Sequence, residues 1–101
     1  MRPIGAATYP LKLKKTSSSL WFVYAVRCRD GSIYTGITTD LTRRVKTHNA
    51  GKGGAYTRSR RPVLLIFREA HPNRSSALKR EARIKEWSHS RKSAFCRGAV
   101  W

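Results

Sequence analysis

The hydrophobic residues of the chain concentrate in blocks separated by polar and glycine-rich segments. Trp21–Cys28 has apolar residues at both even and odd positions, which predicts a β-strand covered on both of its faces. Asp30-Gly31 then indicates a chain reversal, because glycine tolerates the positive φ of a tight hairpin, and Ser32–Thr38 returns as a second strand. The continuous apolar run Val63–Phe67 predicts a third, buried strand.

The length of the hairpin loop decides where two tyrosines lie. If the loop is residues 30–31, Tyr24 and Tyr34 point to opposite faces of the sheet. If the loop is residues 30–32, both side chains share one face. The sequence leaves these two alternatives open. In the second case Gly36 lies on the shared face and leaves room there for a helix or a ligand.

Helix signals follow the second and third strands. Asp40 is a good N-cap, and Asn49–Gly51 is a glycine-type ending, so a helix is predicted between them. Arg44 and His48 are four residues apart and therefore lie on one side of that helix. Asn73–Ser76 supplies capping residues for the next helix. The last segment, residues 89–101, predicts a further short helix, with Phe95, Val100 and Trp101 as core contacts.

The helix after Asn73 carries a carboxylate on its predicted buried face. The i, i+3, i+4, i+7 pattern groups Leu78, Glu81, Ala82, Ile84 and Lys85. Glu81 thus lies on an otherwise apolar, inward side, where a carboxylate needs a partner. A salt bridge to an arginine and a metal ion both satisfy that need. Magnesium accepts a single protein carboxylate when waters and a phosphate oxygen fill its other positions.

The fold class predicted from these elements is α/β, more closely α+β: a small, three-stranded, mostly antiparallel sheet flanked by about three helices. Residues 21–101 form one domain in this scheme. Residues 1–20 are basic and serine-rich, and we expect them to be a disordered extension. A basic arm on nucleic acid, a weak targeting segment and an extension without a role are all compatible with that composition.

The charge of the chain points to a polyanionic partner. Lys and Arg total 22 against 5 acids, a formal net charge of +17, which predicts salt-sensitive attraction to nucleic acid. The loop 51–62 concentrates the candidate nucleic-acid contacts Lys52, Tyr56, Arg58, Arg60 and Arg61. No apolar run approaches the roughly 20 residues needed to span a membrane. Cys28 and Cys96 lack zinc-type spacing and are expected to be reduced thiols of a cytoplasmic protein, with a disulfide between them as the alternative.

The spacing of two tyrosine motifs, an arginine and a histidine resembles that of a known family. Tyr24, then Tyr34-Thr35-Gly36, then Arg44 and His48 resemble the core of the GIY-YIG nuclease superfamily, in particular its small stand-alone bacterial members. The similarity runs from about residue 21 to about residue 91. Valine precedes Tyr24 where the namesake motif has isoleucine, and the asparagine that many members carry after the metal-binding glutamate is absent.

This resemblance implies a divalent-metal-dependent nuclease that hydrolyses phosphodiester bonds in DNA, with a role in DNA repair or processing. The implied catalytic set is Tyr24, Tyr34, Arg44, His48 and Glu81. Glu81 would hold Mg²⁺ or Mn²⁺, and Lys85 extends the resemblance as a nucleic-acid contact. Tyr24 would act as the base, directly or with help from His48, and Arg44 and the metal would lower the tyrosine pKa.

The implied setting is a bacterial-type, nucleoid-associated cytoplasmic protein that prefers DNA to RNA, with a protein partner or a dimer for specificity. Two alternatives remain. A non-catalytic nucleic-acid-binding module of the same fold predicts steeply salt-dependent binding without cleavage. A protein-interaction adaptor predicts no appreciable binding to nucleic acid at physiological salt.

Overall fold

The computed structural model describes residues 20–98, with side chains as far as Cys96. Its strands are β1 (Trp21–Arg27), β2 (Ile33–Thr38) and β3 (Leu64–His71), and its helices are α1 (Leu41–Asn49), α2 (Ala55–Arg58), α3 (Arg74–Lys85) and α4 (His89–Gly98). The predictions for residues 1–19, Val100 and Trp101 lie outside this range. None of the helices described is long and apolar enough to cross a membrane.

The three strands form one antiparallel sheet in the order β2-β1-β3. The central position of β1 explains its apolar residues at even and odd positions, since four consecutive residues, 23–26, are buried. The apolar segment 63–67 is only partly buried: Val63 and Phe67 are inside, whereas Leu64 is 67% exposed. The reason is that β3 is an edge strand, and it extends through polar residues to His71.

The hairpin register places the two tyrosines on one face. Tyr24 pairs with Gly36, and Val26 pairs with Tyr34. The loop has three residues, 29–31, one position earlier than the three-residue alternative, and Gly31 has a φ of 87°. Because the loop length is odd, Tyr24 and Tyr34 share a face.

Each face of the sheet carries its own hydrophobic cluster. On one face Val23 and Phe67 pack with Ala77 and Ile84 of α3 and with Cys96 of α4. The other face carries a second cluster, which contains Tyr24, Val26, Cys28 and Val63, with Tyr34, Leu41, Val45 and Leu65 against it. Helix α1 covers this second face, and its first turn is capped by the Asp40 carboxylate on the backbone N–H of Arg43.

The predicted apolar stripe of α3 is wrong in detail. The residues that α3 buries are Ala77 and Ile84, seven apart, while Leu78 is 36% exposed and Ala82 and Lys85 are exposed. A small residue at 77 lets the helix approach the sheet closely, which sets this rotation. Glu81 lies at the boundary, with 17% of its side chain exposed. The segment 51–62, which was predicted to be a loop, contains a short helix, α2.

Candidate active site

The centre of the site is a hydrogen-bonded pair that joins β1 to α1. The Tyr24 hydroxyl oxygen lies 2.9 Å from Nε2 of His48, and both residues are 0% exposed. Arg44, one turn before His48 on α1, donates its Nε–H to the same tyrosine oxygen at 3.1 Å. Three of the residues implied by the resemblance therefore converge on one phenol oxygen.

Thr57 is a member of this site that the sequence did not indicate. Its Oγ1 lies 2.8 Å from Nδ1 of His48, and the residue is 1% exposed. If the imidazole is neutral, the Tyr24 hydroxyl donates to Nε2 and the Nδ1–H group donates to Thr57. In this arrangement both ring nitrogens and the tyrosine hydroxyl have hydrogen-bond partners. No periodicity or motif marks a threonine in a glycine-rich segment; only the position of α2 against α1 does.

Tyr34 lies beside the pair in an aromatic cluster. Its ring centroid is 6.5 Å from that of Tyr24 and 5.3 Å from that of His48. Tyr56 stacks on Tyr34 at 5.8 Å, and the guanidinium of Arg60 lies 4.0 Å from the Tyr56 centroid. Tyr56 therefore supports Tyr34 from the outside of the cluster, and its ring contacts are already made within the protein.

Two glycines make room for the pair. A Cβ on Gly36 would lie 2.7 Å from the Tyr24 hydroxyl oxygen, closer than van der Waals contact permits. A Cβ on Gly53 would collide with Nδ1 and Cα of His48. The glycine of the Tyr34-Thr35-Gly36 triplet is thus required by the approach of the Tyr24 hydroxyl.

Burial sets the protonation of the pair. It raises the pKa of Tyr24 above its ordinary value and outweighs the opposing hydrogen bond and charge of Arg44. The lowering effect of Arg44 by itself is smaller than the opposing effect of burial, because the desolvation of a phenolate outweighs its attraction to a partly exposed guanidinium. The expectation that Arg44 and a metal together lower the tyrosine pKa stays a prediction. Burial, followed by the charge of Arg44, lowers the pKa of His48, so this imidazole is neutral at pH 7.

Glu81 approaches the site from α3. Its carboxylate is among the charges that act on Tyr24, and Lys85 Nζ lies 3.2 Å from Oε2. Other carboxylates have firmer partners: Glu69 contacts both His71 and Arg80, and Asp30 contacts Arg60. Within residues 20–98 no three His, Cys, Asp or Glu side chains cluster as a metal site. Glu81 is a mostly buried single carboxylate with a half-exposed lysine partner. Such a site fits magnesium, which accepts one protein carboxylate, and does not fit zinc, which needs several protein ligands.

The predicted nucleic-acid contacts divide into two groups. Lys52, Arg58 and Arg61 are exposed. The guanidinium of Arg60 is held by the Asp30 carboxylate at 3.0 Å, and Lys85 contacts Glu81. Tyr56 is 39% exposed, and stacking of a nucleic-acid base on it stays a prediction.

Comparison with known proteins places this arrangement in a family. The model of the GIY-YIG catalytic domain matches residues 20–94, a range that contains all five implied catalytic residues. The chain belongs to the GIY-YIG family. The family is of nuclease type, so membership implies binding to nucleic acid.

Relatives of this GIY-YIG protein are found in bacteria. A UPF0213 protein of Desulfotalea psychrophila is 50% identical over 86 residues, which are 84% of this chain and 78% of that protein. A UPF0213 protein of Staphylococcus haemolyticus is 49% identical over 71 residues, 70% of this chain and 87% of that protein. The solution NMR structure of the UPF0213 protein BH0048 from Bacillus halodurans has a TM-score of 0.52 at 40% identity and covers 79% of this chain and 85% of that chain.

Proposed function

We propose that this GIY-YIG protein is a divalent-metal-dependent nuclease that hydrolyses phosphodiester bonds in DNA. The observation that carries the proposal is the buried hydrogen-bond chain from Arg44 through Tyr24 and His48 to Thr57. Purely structural tyrosines need a single partner for their hydroxyl. Here the hydroxyl has a cationic donor on one side and a neutral imidazole on the other, an arrangement suited to proton transfer.

The proton path follows from these contacts. Hydrolysis requires an attacking water to lose a proton. His48 is neutral at pH 7 because burial lowers its pKa, so its Nε2 is able to accept the Tyr24 proton across 2.9 Å. Tyr24 then takes the proton of the water, and Arg44 stabilises the negative charge that develops on the phenol oxygen.

Arg44 also links this pair to the substrate. Its Nε–H is committed to Tyr24, and its side chain also interacts by hydrogen bonding with Tyr34. A guanidinium carries five donors in a planar fork, so the remaining donors are available to the phosphoryl oxygens. Because Tyr24 has no exposed surface, water reaches its hydroxyl only when a neighbouring side chain shifts. We expect phosphate binding at the partly exposed Arg44 to provide that shift.

Glu81 is the residue that would hold Mg²⁺ or Mn²⁺. When bound, the ion supplies a Lewis acid for the charge that develops on the phosphoryl and leaving oxygens. The carboxylate itself is suited to this task because its lysine partner is half-exposed and is displaced at little cost. The charge of Glu81 also acts on Tyr24, so the proposed metal ligand and the proposed base are close enough to interact electrostatically.

Further features of the proposal rest on charge and on the family. A net charge of +17 favours a duplex phosphate backbone, and we place the activity in DNA repair or processing in the nucleoid of a bacterial cytoplasm. A small catalytic domain supplies little sequence-specific surface, so specificity would come from DNA structure, a dimer or a protein partner.

A second candidate is a non-catalytic nucleic-acid-binding module. Two observations favour it: the complete burial of Tyr24 with its raised pKa, and the absence of an asparagine after Glu81. It keeps the fold, the charge and the binding, and lacks turnover.

One experiment separates the two candidates. End-labelled single-stranded, duplex and branched DNA are incubated with Mg²⁺ or Mn²⁺ and with the wild type, Glu81→Ala or Glu86→Ala. Glu86 is an exposed glutamate at the end of the same helix, so its variant removes the same charge. The nuclease proposal expects cleavage by wild type and Glu86→Ala, loss of cleavage in Glu81→Ala and in EDTA, and binding by all three proteins. Binding by all three without cleavage establishes the second candidate.

A further inference from the structure

A cationic cavity lies where the last residues of α1 and α2, Asn49 and Arg58, meet the β1–β2 turn. It has a volume of about 500 Å³ and is lined by Arg29, Asn49, Arg58, Ser59, Arg61 and Pro62. Three of these residues are arginines from separate segments: the β1–β2 turn, the end of α2 and the loop before β3. Among the described residues that line it, none is acidic.

The walls of this cavity are fixed by hydrogen bonds. The side-chain amide of Asn49 contacts Val63 twice, accepting from its N–H at 2.7 Å and donating to its carbonyl at 3.1 Å. Arg61 donates to the carbonyl of Arg58 at 2.9 Å, and the N–H of Arg29 donates to the carbonyl of Arg60 at 2.9 Å. The backbone segments that carry the three arginines are therefore held together by hydrogen bonds.

The charges in the cavity are not neutralised by the protein. Asp30, next to Arg29, contacts Arg60 and Ser32, and those hydrogen bonds lower the pKa of its carboxyl. Within residues 20–98 the structure gives neither Arg29 nor Arg58 a carboxylate partner. Converged guanidinium groups without acids are the arrangement that proteins use for phosphate oxygens.

The cavity adjoins the candidate active site along the chain. Asn49 follows His48, and Arg58 follows Thr57, so two residues of the buried hydrogen-bond chain are each one position from a residue of the cavity. Consecutive Cα atoms are about 3.8 Å apart, and one strand of duplex DNA advances about 3.4 Å per nucleotide. A strand with one phosphate at Arg44 therefore needs only a few nucleotides to reach this cavity.

We infer that the cavity between Arg29, Arg58 and Arg61 is a subsite for a backbone phosphate of the nucleic-acid strand that flanks the scissile phosphate. Its position relative to the scissile phosphate rests on the proposed function; its binding of a strand does not. The subsite fixes how far the strand extends on one side of the reacting bond, and it assigns Arg29, which lies outside the cationic loop, to the substrate surface.

The test measures binding of a fluorescein-labelled DNA duplex by anisotropy in EDTA, so that cleavage plays no part. The full chain is compared with Arg29→Ala, Arg58→Ala and the double variant. Arg83→Ala is the matched control, because it removes one exposed positive charge from α3 on the other face of the sheet. Arg61 is left unchanged because its side chain helps to hold these segments together, and circular dichroism checks the fold of each variant.

We expect each cavity variant to weaken binding by about threefold or more at 0.1 M salt and to reduce the salt slope by about one. The Arg83 control should have a smaller effect on both quantities. Equal losses in the cavity variants and the control would overturn the inference, because they would indicate diffuse electrostatic attraction.

Two further arms distinguish the sources of phosphate and locate the subsite. Suppose that inorganic phosphate raises the Tm of the wild type but not of the double variant, and that the two proteins bind duplex equally tightly. The cavity then takes an isolated anion and the inference fails. Replacing single flanking phosphates with neutral methylphosphonates should weaken wild-type binding at one position and leave the double variant unaffected. These binding results stand whether or not the protein cleaves DNA, so failure of the nuclease proposal is recognised separately.

Discussion

The hydroxyl oxygen of Tyr24 and Nε2 of His48 lie 2.9 Å apart, and neither residue exposes any surface. This contact joins the central strand to the helix that follows the hairpin. It also places the proposed base and its proton acceptor out of contact with bulk water. The pair therefore contributes both to the stability of the fold and to the proposed proton transfer, and substitutions can separate the two contributions.

Tyr24→Phe removes the hydroxyl and leaves His48 Nε2 and Arg44 Nε without this partner. We expect the free energy of unfolding to fall by about 1–3 kcal/mol, the cost of buried polar groups left unsatisfied, and cleavage to fall by about 10²-fold or more. DNA binding should be nearly unchanged, because Tyr24 has no exposed surface. Urea denaturation, single-turnover cleavage and anisotropy measure the three quantities. Tyr34→Phe is the comparison: it should lose cleavage yet fold normally, and unfolding of that variant would mean that Tyr34 is a core residue.

Thr57→Val removes the hydrogen bond to Nδ1 of His48 with little change in volume. We expect a stability loss of about 1–3 kcal/mol and a shift in the pH profile of cleavage, since the tautomer of His48 is no longer fixed. Thr57→Ser keeps the hydroxyl and should restore the wild-type profile. If the serine variant is as impaired as the valine variant, the γ-methyl group and not the hydroxyl is what the site requires.

Gly36→Ala places a Cβ 2.7 Å from the Tyr24 hydroxyl oxygen. Since Tyr24 is packed on all sides, we expect a loss of about 1–3 kcal/mol from overpacking, together with loss of cleavage as the hydroxyl moves away from His48. Gly31→Ala is a useful comparison, because a Cβ at Gly31 meets no atom within 4 Å but is strained by a φ of 87°. That variant should lose stability and keep cleavage at permissive temperature. Unimpaired cleavage by Gly36→Ala would contradict the tight placement of the phenol.

The stability of the domain should depend on His48 between neutral and mildly acidic pH. Burial lowers the pKa of His48 in the folded protein, whereas the unfolded chain has the ordinary value of about 6.5. Above about 6.5 both states are neutral and the full stability is present. As the pH falls below that value, the unfolded state binds the proton first, so the free energy of unfolding decreases until the pH passes the folded pKa.

Urea denaturation from pH 7.5 to pH 5 measures this dependence. His48→Gln should be less stable than the wild type at pH 7.5 and should have a flatter profile over the same interval. Equal slopes for the two proteins would show that other groups cause the pH dependence. Cleavage by the wild type should also decline over this interval if His48 must be neutral to accept the tyrosine proton.

Several features of the fold were predictable because they depend on local sequence. The aromatic and β-branched density of residues 21–28 predicted a strand covered on both faces, and β1 is the central strand. Asp40 and the segment Asn73–Ser76 predicted the starts of α1 and α3. The side chains of Asp40 and Asn73 accept the capping hydrogen bonds. The motif spacing predicted the GIY-YIG family, which the family model confirms over residues 20–94.

The sequence left the length of the hairpin loop open and predicted the wrong buried face for α3. In both cases, contacts between segments distant in the sequence decided the outcome. Two loop lengths were compatible with Asp30-Gly31, and the pairing of Tyr24 with Gly36 selected the one that brings the tyrosines together. The rotation of α3 was misjudged because Ala77, a residue without strong hydrophobic signal, is fully buried in the cluster against the sheet.

The sequence alone determined the elements, their caps, the charge and the family, because each is encoded within a few neighbouring residues or in fixed spacings. The tertiary structure decided that Tyr24 and His48 are fully buried, that Thr57 completes their hydrogen-bond chain, and that burial outweighs Arg44 in setting the tyrosine pKa. It also decided that arginines from three segments share one cavity. These properties depend on how tightly α1 and α2 pack on the sheet, and desolvation and hydrogen bonding change steeply over distances that no spacing along the chain specifies.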